Sequence, residues 1–347
     1  MSERMVRVTP ALADGAVTGR SQEGMAVVSA LLIVAFVTVI AASLTQRQIT
    51  LLRAVQAEQT RGQASGLLRG GVDWAKSVLQ ADAQRNPVTR LDAGWAEPLL
   101  NSRFGSENPL LTGSFSGRIQ DEQAKFNLRN FVRQGRVSAD DVEMFGRLCA
   151  QQGIDARLAG RIVERVVLAQ SRSESSGDAE QDELDTLTES ELGARGSAAM
   201  LTVPETPQAP MVRVLEDLLP LEGMSPSAIA RLRPYVTVLP ANTALNVNTA
   251  SAAVLAAAVP GLRIEQANLL VAERNAGRWF VHRADLANRL QKWGVKISRV
   301  RMTVVSQWFH LSSVATLNQT AVPMQALIQR QRGGRALPKV VWLREGA

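Results

Sequence analysis

The feature that most constrains this chain is a run of twenty residues without a charged side chain, residues 25–44. As an α-helix, such a run rises about 30 Å, which is the thickness of the hydrocarbon core of a bilayer. A buried helix of a soluble domain rarely stays uncharged over that length. The run therefore predicts a helix that spans a membrane. Arginines lie on both sides of it, so the flanking charge leaves its orientation open.

A cleavable secretory signal is the alternative interpretation of the same run. Ala41, Ala42 and Ser43 offer the small residues that such a signal has at its end. The apolar region of a secretory signal is usually about 7–15 residues long, whereas this one is longer. The length therefore favours a span over a signal.

An amphipathic pattern follows the run. Four apolar residues repeat at intervals of four, three and four positions: Leu68, Val72, Ala75 and Leu79. This spacing places them on one face of a helix and predicts that the N-terminal helix continues to about residue 80.

A polar leader that ends in glycine precedes the run. A helix that lies half in lipid and half outside it, behind such a leader, resembles the type IV pilin and pseudopilin family. In that family a membrane-embedded prepilin peptidase cuts after the glycine and methylates the new N-terminus. The resemblance implies a cut after Gly24 and a mature chain that begins at Met25.

Position 29 departs from the pilin pattern. Most pilins have a glutamate at the fifth place after the cut, where it neutralises the terminal amine of a neighbouring subunit; here that place is Ser29. A shaft subunit without the glutamate would leave its neighbour's ammonium unpaired in lipid, at a cost on the order of several kcal/mol. A subunit with no neighbour ahead of it needs no such partner, so Ser29 indicates the tip of a filament.

The net charge of +7 is unevenly distributed. Residues 171–192 hold eight acids and one arginine, so their local charge is −7 and the rest of the chain sums to +14. The lysines and arginines are scattered, which is typical of a solvated surface rather than of a polyanion site. The acidic tract offers oxygen ligands for calcium, and the candidates are Asp178, Glu180, Asp182 and Asp185. It has no EF-hand pattern, so a solvated loop is the alternative, and no other cofactor is indicated.

Beyond residue 80, the sequence predicts both strands and helices. Phe115 and Ile119 stand among alternating polar residues and predict a strand or hairpin. Capping residues predict a helical hairpin between Ser138 and Leu168. Three alternating stretches after Met302 predict antiparallel strands. Strands early and late, with helices between them, predict an α+β fold with an inserted helical domain.

A second helical hairpin is predicted within residues 245–290. Thr249 is predicted to cap its first helix, and Pro260 and Gly261 form its turn. The stretch resembles the helix-hairpin-helix module of many DNA-binding proteins, whose glycine-apolar-glycine turn points its amides at a phosphate. Here Arg263 stands in the place of the second glycine, and the net charge of the stretch is only +2. We predict a packing role and no nucleic-acid partner; a membrane-tethered DNA receptor is the alternative function.

Three stretches together resemble one branch of the pseudopilins. They are the leader and span without an acid, "GRIQDEQAKFNLRN", and "RLRPYVTVLPANTALNV" followed by "NTA". In this order they resemble the minor pseudopilin K family of type II secretion systems, GspK, from about residue 22 to about residue 330. The resemblance implies a pseudopilin fold with a long N-terminal helix, a small antiparallel sheet and a large inserted all-α domain with helix-hairpin-helix-like elements.

The same resemblance implies a function and a location. The chain would be the structural tip and initiating subunit of the periplasmic pseudopilus, assembled with minor pseudopilins I and J to support secretion across the outer membrane. It would be anchored once in the inner membrane, with its globular part in the periplasm. Prepilin peptidase, the assembly platform and the secreted substrate are its further implied contacts. A minor pilin of a related type IV pilus is an alternative, to which the argument from Ser29 applies equally.

The sequence carries no pattern of an enzyme. It has two histidines, His282 and His310, and one cysteine, Cys149, and it lacks the zinc-protease, P-loop, serine-elbow and CxxC motifs. We therefore predict no catalytic residue. The predicted domains are a leader (1–24), a transmembrane helix (25–44), its continuation (45–80), an αβ region (81–130 and 231–347, with the hairpin segment 248–290) and an inserted helical domain (131–230, with the acidic loop 171–194).

Overall fold

The computed structural model describes residues 20–104, 113–172, 201–296, 300–317 and 320–346. The chain divides into two compact units, Met1–Arg61 and Gly62–Ala347. The helices are α1 (Arg20–Arg85), α2 (Ala139–Gln151), α3 (Ala156–Leu168), α4 (Pro226–Leu232), α5 (Ala252–Ala258), α6 (Ile264–Asn275) and α7 (Arg283–Gln291). The strands are β1 (Leu99–Phe104), β2 (Gly113–Asp121), β3 (Phe126–Asn127), β4 (Val132–Arg133), β5 (Arg136–Val137), β6 (Val236–Thr237), β7 (Leu245–Asn246), β8 (Met302–Thr303), β9 (Trp308–Leu317), β10 (Thr320–Gln329) and β11 (Lys339–Glu345). Short 3₁₀ turns lie at Glu122–Ala124, Leu128–Phe131, Leu215–Leu218 and Arg332–Gly334.

The described part of the first unit consists of helix α1 alone. From residue 27 to residue 59 every side chain is exposed, including the apolar ones of the uncharged run. Nothing in the described part of this unit covers that surface.

The second unit contains a five-stranded antiparallel sheet in the order β1-β2-β9-β10-β11. The part of α1 that belongs to this unit packs on one face of the sheet, through the apolar residues that the sequence spacing singles out: Leu68, Val72, Ala75 and Leu79. They share a core with Phe115 and Ile119 of β2, Leu311 of β9 and Ile328 of β10. The three tail strands and the predicted mixed fold, with its long N-terminal helix and small antiparallel sheet, are confirmed.

Helix α1 and the sheet approach each other closely at Gly71. A β-carbon built at this position would lie 2.2 Å from two carbons of the Phe115 ring. Only glycine therefore allows the helix to lie directly on this buried ring. Trp74, one turn of the helix further on, meets the same ring edge to face at 6.5 Å between centroids.

The chain between β2 and β9 forms a mainly helical region with its own core. Helices α2 and α3 form the predicted hairpin and bury Phe145, Leu148 and Ile162. Asp155 caps α3, since its Oδ1 accepts the backbone N–H of Arg157 at 2.8 Å.

The core of the helical region extends beyond residue 230, where the sequence predicts that the inserted domain ends. Val254 and Leu255 of α5 lie in the same core as Phe145 of α2, and Arg147 Nε donates to the Ala257 carbonyl at 2.8 Å. The second hairpin therefore belongs with the helices and not with the sheet. Periodicity reports which face of a helix is buried, but it does not report which neighbour covers that face.

Cys149 lies in this core and provides a simple test of its packing. The side chain is 1% exposed, and burial raises the pKa of its thiol to about 12. Because the thiolate is the reactive form, iodoacetamide at mildly alkaline pH is expected to leave the folded protein unlabelled. Mass spectrometry after the same reaction in guanidinium should show one label, since the chain has a single cysteine. Rapid labelling of the folded protein would contradict the packing described for α2.

Candidate functional site

A buried polar junction joins the sheet to the helical region, and Asp121 at the end of β2 is its centre. Oδ2 of Asp121 accepts hydrogen bonds from Ser306 Oγ at 2.5 Å, from Thr249 Oγ1 at 2.6 Å and from Asn246 Nδ2 at 3.2 Å. Oδ1 accepts the backbone N–H of Gln123 at 2.8 Å. Burial raises the pKa of the Asp121 carboxyl, and the hydrogen bonds from Ser306, Thr249 and Gln123 oppose the rise.

Arg330, just after β10, is the cation of the junction and is 3% exposed. Its Nη1 donates to Asp82 Oδ2 near the end of α1 at 2.7 Å, and its Nη2 donates to Thr89 Oγ1 at 2.7 Å. Nη2 also donates to the Ser306 carbonyl at 3.0 Å, which links the cation to the surroundings of Asp121. One guanidinium thus holds together the end of α1, the segment after it and the entry to β9.

Three asparagines hold the start of the helical region against the segment after β6. Asn127 Nδ2 donates to the Ala241 carbonyl at 2.8 Å. Asn130 exchanges two hydrogen bonds with the backbone of Thr243, at 2.8 and 2.9 Å. Asn242 Nδ2 donates to the carbonyls of Arg129 at 3.1 Å and Val132 at 2.8 Å. These side chains replace the backbone pairing that a longer sheet would provide.

Both stretches of this junction were expected to be family features, and apart from the predicted cap Thr249 their polar residues had no predicted role. A signal was present, since "DEQAKFNLRN" and "ANTALNVNT" place short amide and hydroxyl side chains among apolar ones. Such residues are expected to be buried with partners. The partners themselves are far away in the sequence and could not be named from it.

The sequence predicts that Thr249 caps helix α5, but in the structure it does not. The cap is Ser251, whose Oγ accepts the backbone N–H of Val254 at 3.4 Å. The hydroxyl of Thr249 donates to Asp121 instead. A threonine before a helix can cap that helix or bond to a distant acid, and the sequence shows only the first possibility.

The geometry of the junction is that of a crosslink. The hydroxyls of Ser306 and Thr249 donate to the same buried carboxylate and are therefore not oriented to attack a substrate. Among the described residues, no group of three or more His, Cys, Asp and Glu side chains could hold a metal ion. The calcium candidates Asp178, Glu180, Asp182 and Asp185 lie outside the described residues.

The predicted processing residues lie on α1. The helix begins at Arg20, so the bond between Gly24 and Met25 lies within its helical backbone. Met25 is 73% exposed, and Ser29 is also exposed. Cleavage at this bond would require the first turns of the helix to unwind.

The uncharged run has a surface suited to lipid. Its apolar side chains are exposed, for example Leu32 at 66% and Phe36 at 64%. Hydroxyls in and just after the run donate to carbonyls of the preceding turn, namely Thr38 to Val34, Ser43 to Ile40 at 2.8 Å and Thr45 to Ala41 at 2.9 Å. Polar groups are thus satisfied within the helix, as a bilayer requires. The part of α1 from Val27 to Arg85 is long and apolar enough to include a membrane span, with a mean hydropathy of 2.7 in its most apolar window.

The hairpin turn at Pro260 and Gly261 lacks the features of a phosphate site. Gly261 is exposed and has φ +83°, which explains the need for glycine there. The next two backbone N–H groups are already used, because Leu262 donates to the Val259 carbonyl at 3.1 Å and Arg263 donates to Gln266 Oε1 at 2.9 Å. Neither of these two N–H groups is therefore available to a phosphate.

The fold and the junction define a class of protein: a chain with an exposed apolar N-terminal helix, a small antiparallel sheet and a helical region inserted into that sheet. Two family models match it, both described as type II secretion system protein K, over residues 124–241 and 245–306. Together they span more than half of the chain. Helices α2 to α7 all lie within these two ranges.

Individual relatives agree with the family models. The chain is 29% identical over 327 residues to the type II secretion system protein K of Pseudomonas aeruginosa, with 91% of each protein covered. It is 29% identical over 320 residues to that of Klebsiella pneumoniae, with 89% of this chain and 93% of the relative covered. A chain in the crystal structure of the GspK-GspI-GspJ complex from enterotoxigenic Escherichia coli shares the fold, with a TM-score of 0.54 and 20% identity over 84% of this chain and 99% of that one.

The chain belongs to the type II secretion system protein K family, whose members are minor pseudopilins of that system. The resemblance found in the sequence is confirmed. The family is a structural one. The exposed apolar helix of this chain is suited to membrane anchoring.

Proposed function

We propose that this chain is the tip and initiating subunit of a periplasmic pseudopilus, anchored in the inner membrane and assembled with minor pseudopilins I and J. The globular part lies in the periplasm, and the chain has no catalytic role. The chain of known structure that shares this fold belongs to a GspK-GspI-GspJ complex, which supports this choice of partners.

The observation that carries the proposal is that the apolar surface of α1 continues beyond the run that would cross a bilayer. Leu51 and Val55 are 66% and 55% exposed and lie one turn apart on the same face. They continue a stripe that includes Ile40 and Leu44. Lipid can cover residues 25–44, but these later residues need the helices of companion subunits.

Position 29 supports a place at the tip. The run lacks an acid, so a companion stacked ahead of this chain would have no carboxylate to neutralise its terminal amine. Finding the protein incorporated repeatedly along the length of a pseudopilus would contradict this placement. Counting copies per filament by quantitative mass spectrometry tests it, and one copy per filament is expected.

Processing by prepilin peptidase is expected to remove residues 1–24. Intact-mass analysis of the protein made with the peptidase should show this loss and a methylated Met25, whereas protein made without it should keep the leader. Gly24→Asp is expected to block the cut, because a bulky charged side chain would occupy the position before the bond. Gly19→Asp is the matched control in the leader and should be cut normally. An unchanged mass with active peptidase would disprove the predicted site.

Assembly is expected to depend on the exposed stripe beyond the span. Full-length protein in detergent should co-purify with I and J, and Leu51→Asp/Val55→Asp should reduce recovery of the complex by about tenfold or more, because it buries charge in an apolar contact. Gln56→Asp adds a charge to the same segment at an exposed polar position and should have little effect. Equal recovery of all forms would exclude this stripe as the contact. A monomer under all conditions would contradict the proposed function itself.

A further inference from the structure

A groove of about 680 Å³ lies between the segment after α1 and helices α6 and α7. Its lining is mixed in character, with charged groups around an apolar wall that includes an indole. The residues that define it are Arg90, Arg278, Arg289, Lys292, Glu273 and Trp279. Neither the secretion family nor the junction at Asp121 gives this groove a role.

Aromatic rings hold three of the four cations in place. The guanidinium of Arg90 lies 5.9 Å from the centroid of the Trp279 ring, and that of Arg289 lies 4.3 Å from the centroid of Phe280. The ammonium of Lys292 lies 4.2 Å from the centroid of the Trp293 ring. Cations held in this way lose little freedom when they bind an anion.

The acids near the groove do not balance these cations. Glu273 Oε1 accepts from Lys292 Nζ at 2.9 Å, and Arg289 and Arg278 lie 3.8 and 4.0 Å from its carboxylate. The hydrogen bond from Lys292 and the surrounding positive charge lower the pKa of the Glu273 carboxyl. Asp92 is the second acid, 3.2 Å from Arg90 Nε. Asp285 is a third acid, whose Oδ2 accepts the backbone N–H of Val281 in the groove lining at 2.8 Å. Four cations thus face three carboxylates.

Arg278 is the cation that is most available to a ligand. Its side chain is 67% exposed, and the 4.0 Å separation from Glu273 is too long for a hydrogen bond. The neighbouring Trp279 is held by a hydrogen bond from its Nε1 to Asp92 at 3.1 Å. A guanidinium beside a fixed ring is suited to a chain that carries both carboxylates and apolar side chains.

We propose that this groove binds an acidic peptide segment of a partner protein, with its carboxylates on Arg278 and Lys292 and an apolar side chain against Trp279. The volume suits a few residues of an extended chain. The modest excess of positive charge, with Glu273 inside the groove, suits single carboxylates better than a phosphate polymer, which requires several neutralised phosphates. Binding of a peptide to this groove can be measured on the protein alone, without companion subunits. The inference therefore does not depend on the proposed tip role.

The test uses full-length protein in a zwitterionic detergent and a fluorescein-labelled hexapeptide, Glu-Leu-Glu-Glu-Leu-Glu. Fluorescence anisotropy should show saturable binding that weakens as salt is added, and a peptide with glutamine in place of glutamate should not bind. Arg278→Glu should weaken binding by about tenfold or more, because the reversal changes the local charge by two. Arg136→Glu, which reverses an exposed arginine outside the groove lining, should leave binding unchanged.

Several results would overturn the inference. They are a lack of saturable binding to the folded protein, equal binding of the glutamine peptide, or equal losses in Arg278→Glu and Arg136→Glu. Complete displacement of the peptide by inorganic phosphate would indicate a site for free anions, and tighter binding of duplex DNA would indicate a polyanion surface. Arg90→Gln, which removes a cation on the opposite wall, provides a second variant if Arg278→Glu does not fold, and it should also weaken binding.

Discussion

Arg330→Met is expected to destabilise the protein by about 3–5 kcal/mol, because the substitution leaves a buried carboxylate without its counter-charge. Arg330 and Asp82 are 3% and 7% exposed, and the distance between Nη1 and Oδ2 is 2.7 Å. The variant also removes the donors to Thr89 and to the Ser306 carbonyl. Methionine fills much of the same volume, so the loss reports the charge and the hydrogen bonds rather than a cavity.

The matched control is Arg161→Met. Arg161 pairs with Glu222 at 2.8 Å, nearly the same distance, but the two side chains are 36% and 93% exposed. Water replaces the lost contact there, so the expected cost is below about 1 kcal/mol.

Thermal unfolding followed by tryptophan fluorescence measures both effects. The Arg330→Met variant should unfold about 10 °C below the wild type, and Arg161→Met should unfold within about 2 °C of it. Similar small shifts in both variants would show that the junction around Arg330 does not hold the sheet and the helical region together.

Gly71→Ala and Gly70→Ala are expected to change stability in opposite directions, although the residues are adjacent. The new β-carbon at position 71 would lie 2.2 Å from the ring of Phe115, which is completely buried and cannot swing away. Overpacking of this kind costs about 1–3 kcal/mol. At position 70 the β-carbon meets nothing within 4 Å, so alanine should stabilise the helix by about 0.5–1 kcal/mol.

The same thermal measurement distinguishes the two glycines. Gly71→Ala should lower the unfolding temperature, and Gly70→Ala should raise it. Adding Phe115→Leu to Gly71→Ala should recover part of the loss, because the smaller side chain makes room for the new methyl group. Stabilisation by both alanines would indicate that α1 does not lie on the ring of Phe115.

Local pattern was sufficient for the elements whose evidence is itself local. The uncharged run, the spacing of Leu68 and Leu79, and the alternation in the tail each determine a helix or strand through the periodicity of side chains along the backbone. The helical hairpin after Ser138 was predicted for the same reason. The predicted boundary at residue 230 took no account of the core that α2 shares with α5, because periodicity does not identify the neighbour that covers an apolar face.

The candidate sites divide in the same way. Gly24, Met25 and Ser29 could be proposed from the sequence, because a predicted leader, a predicted cut and a missing acid are properties of a short stretch. Asp121 could not be recognised as a centre from its own surroundings, since only the folded chain brings Ser306 and Thr249 to it.

By itself, the sequence determined that this protein has an apolar helix long enough for a bilayer, and that helices and strands follow in a given order. Hydrophobic length and periodicity are local quantities, so they can be read without knowledge of the fold. Only the tertiary structure decided that Arg330 neutralises Asp82, 248 positions away in the chain. It also decided that position 71 has no room for a side chain beside the ring of Phe115. Close contacts between distant residues depend on how the whole chain packs, and no short stretch contains that information.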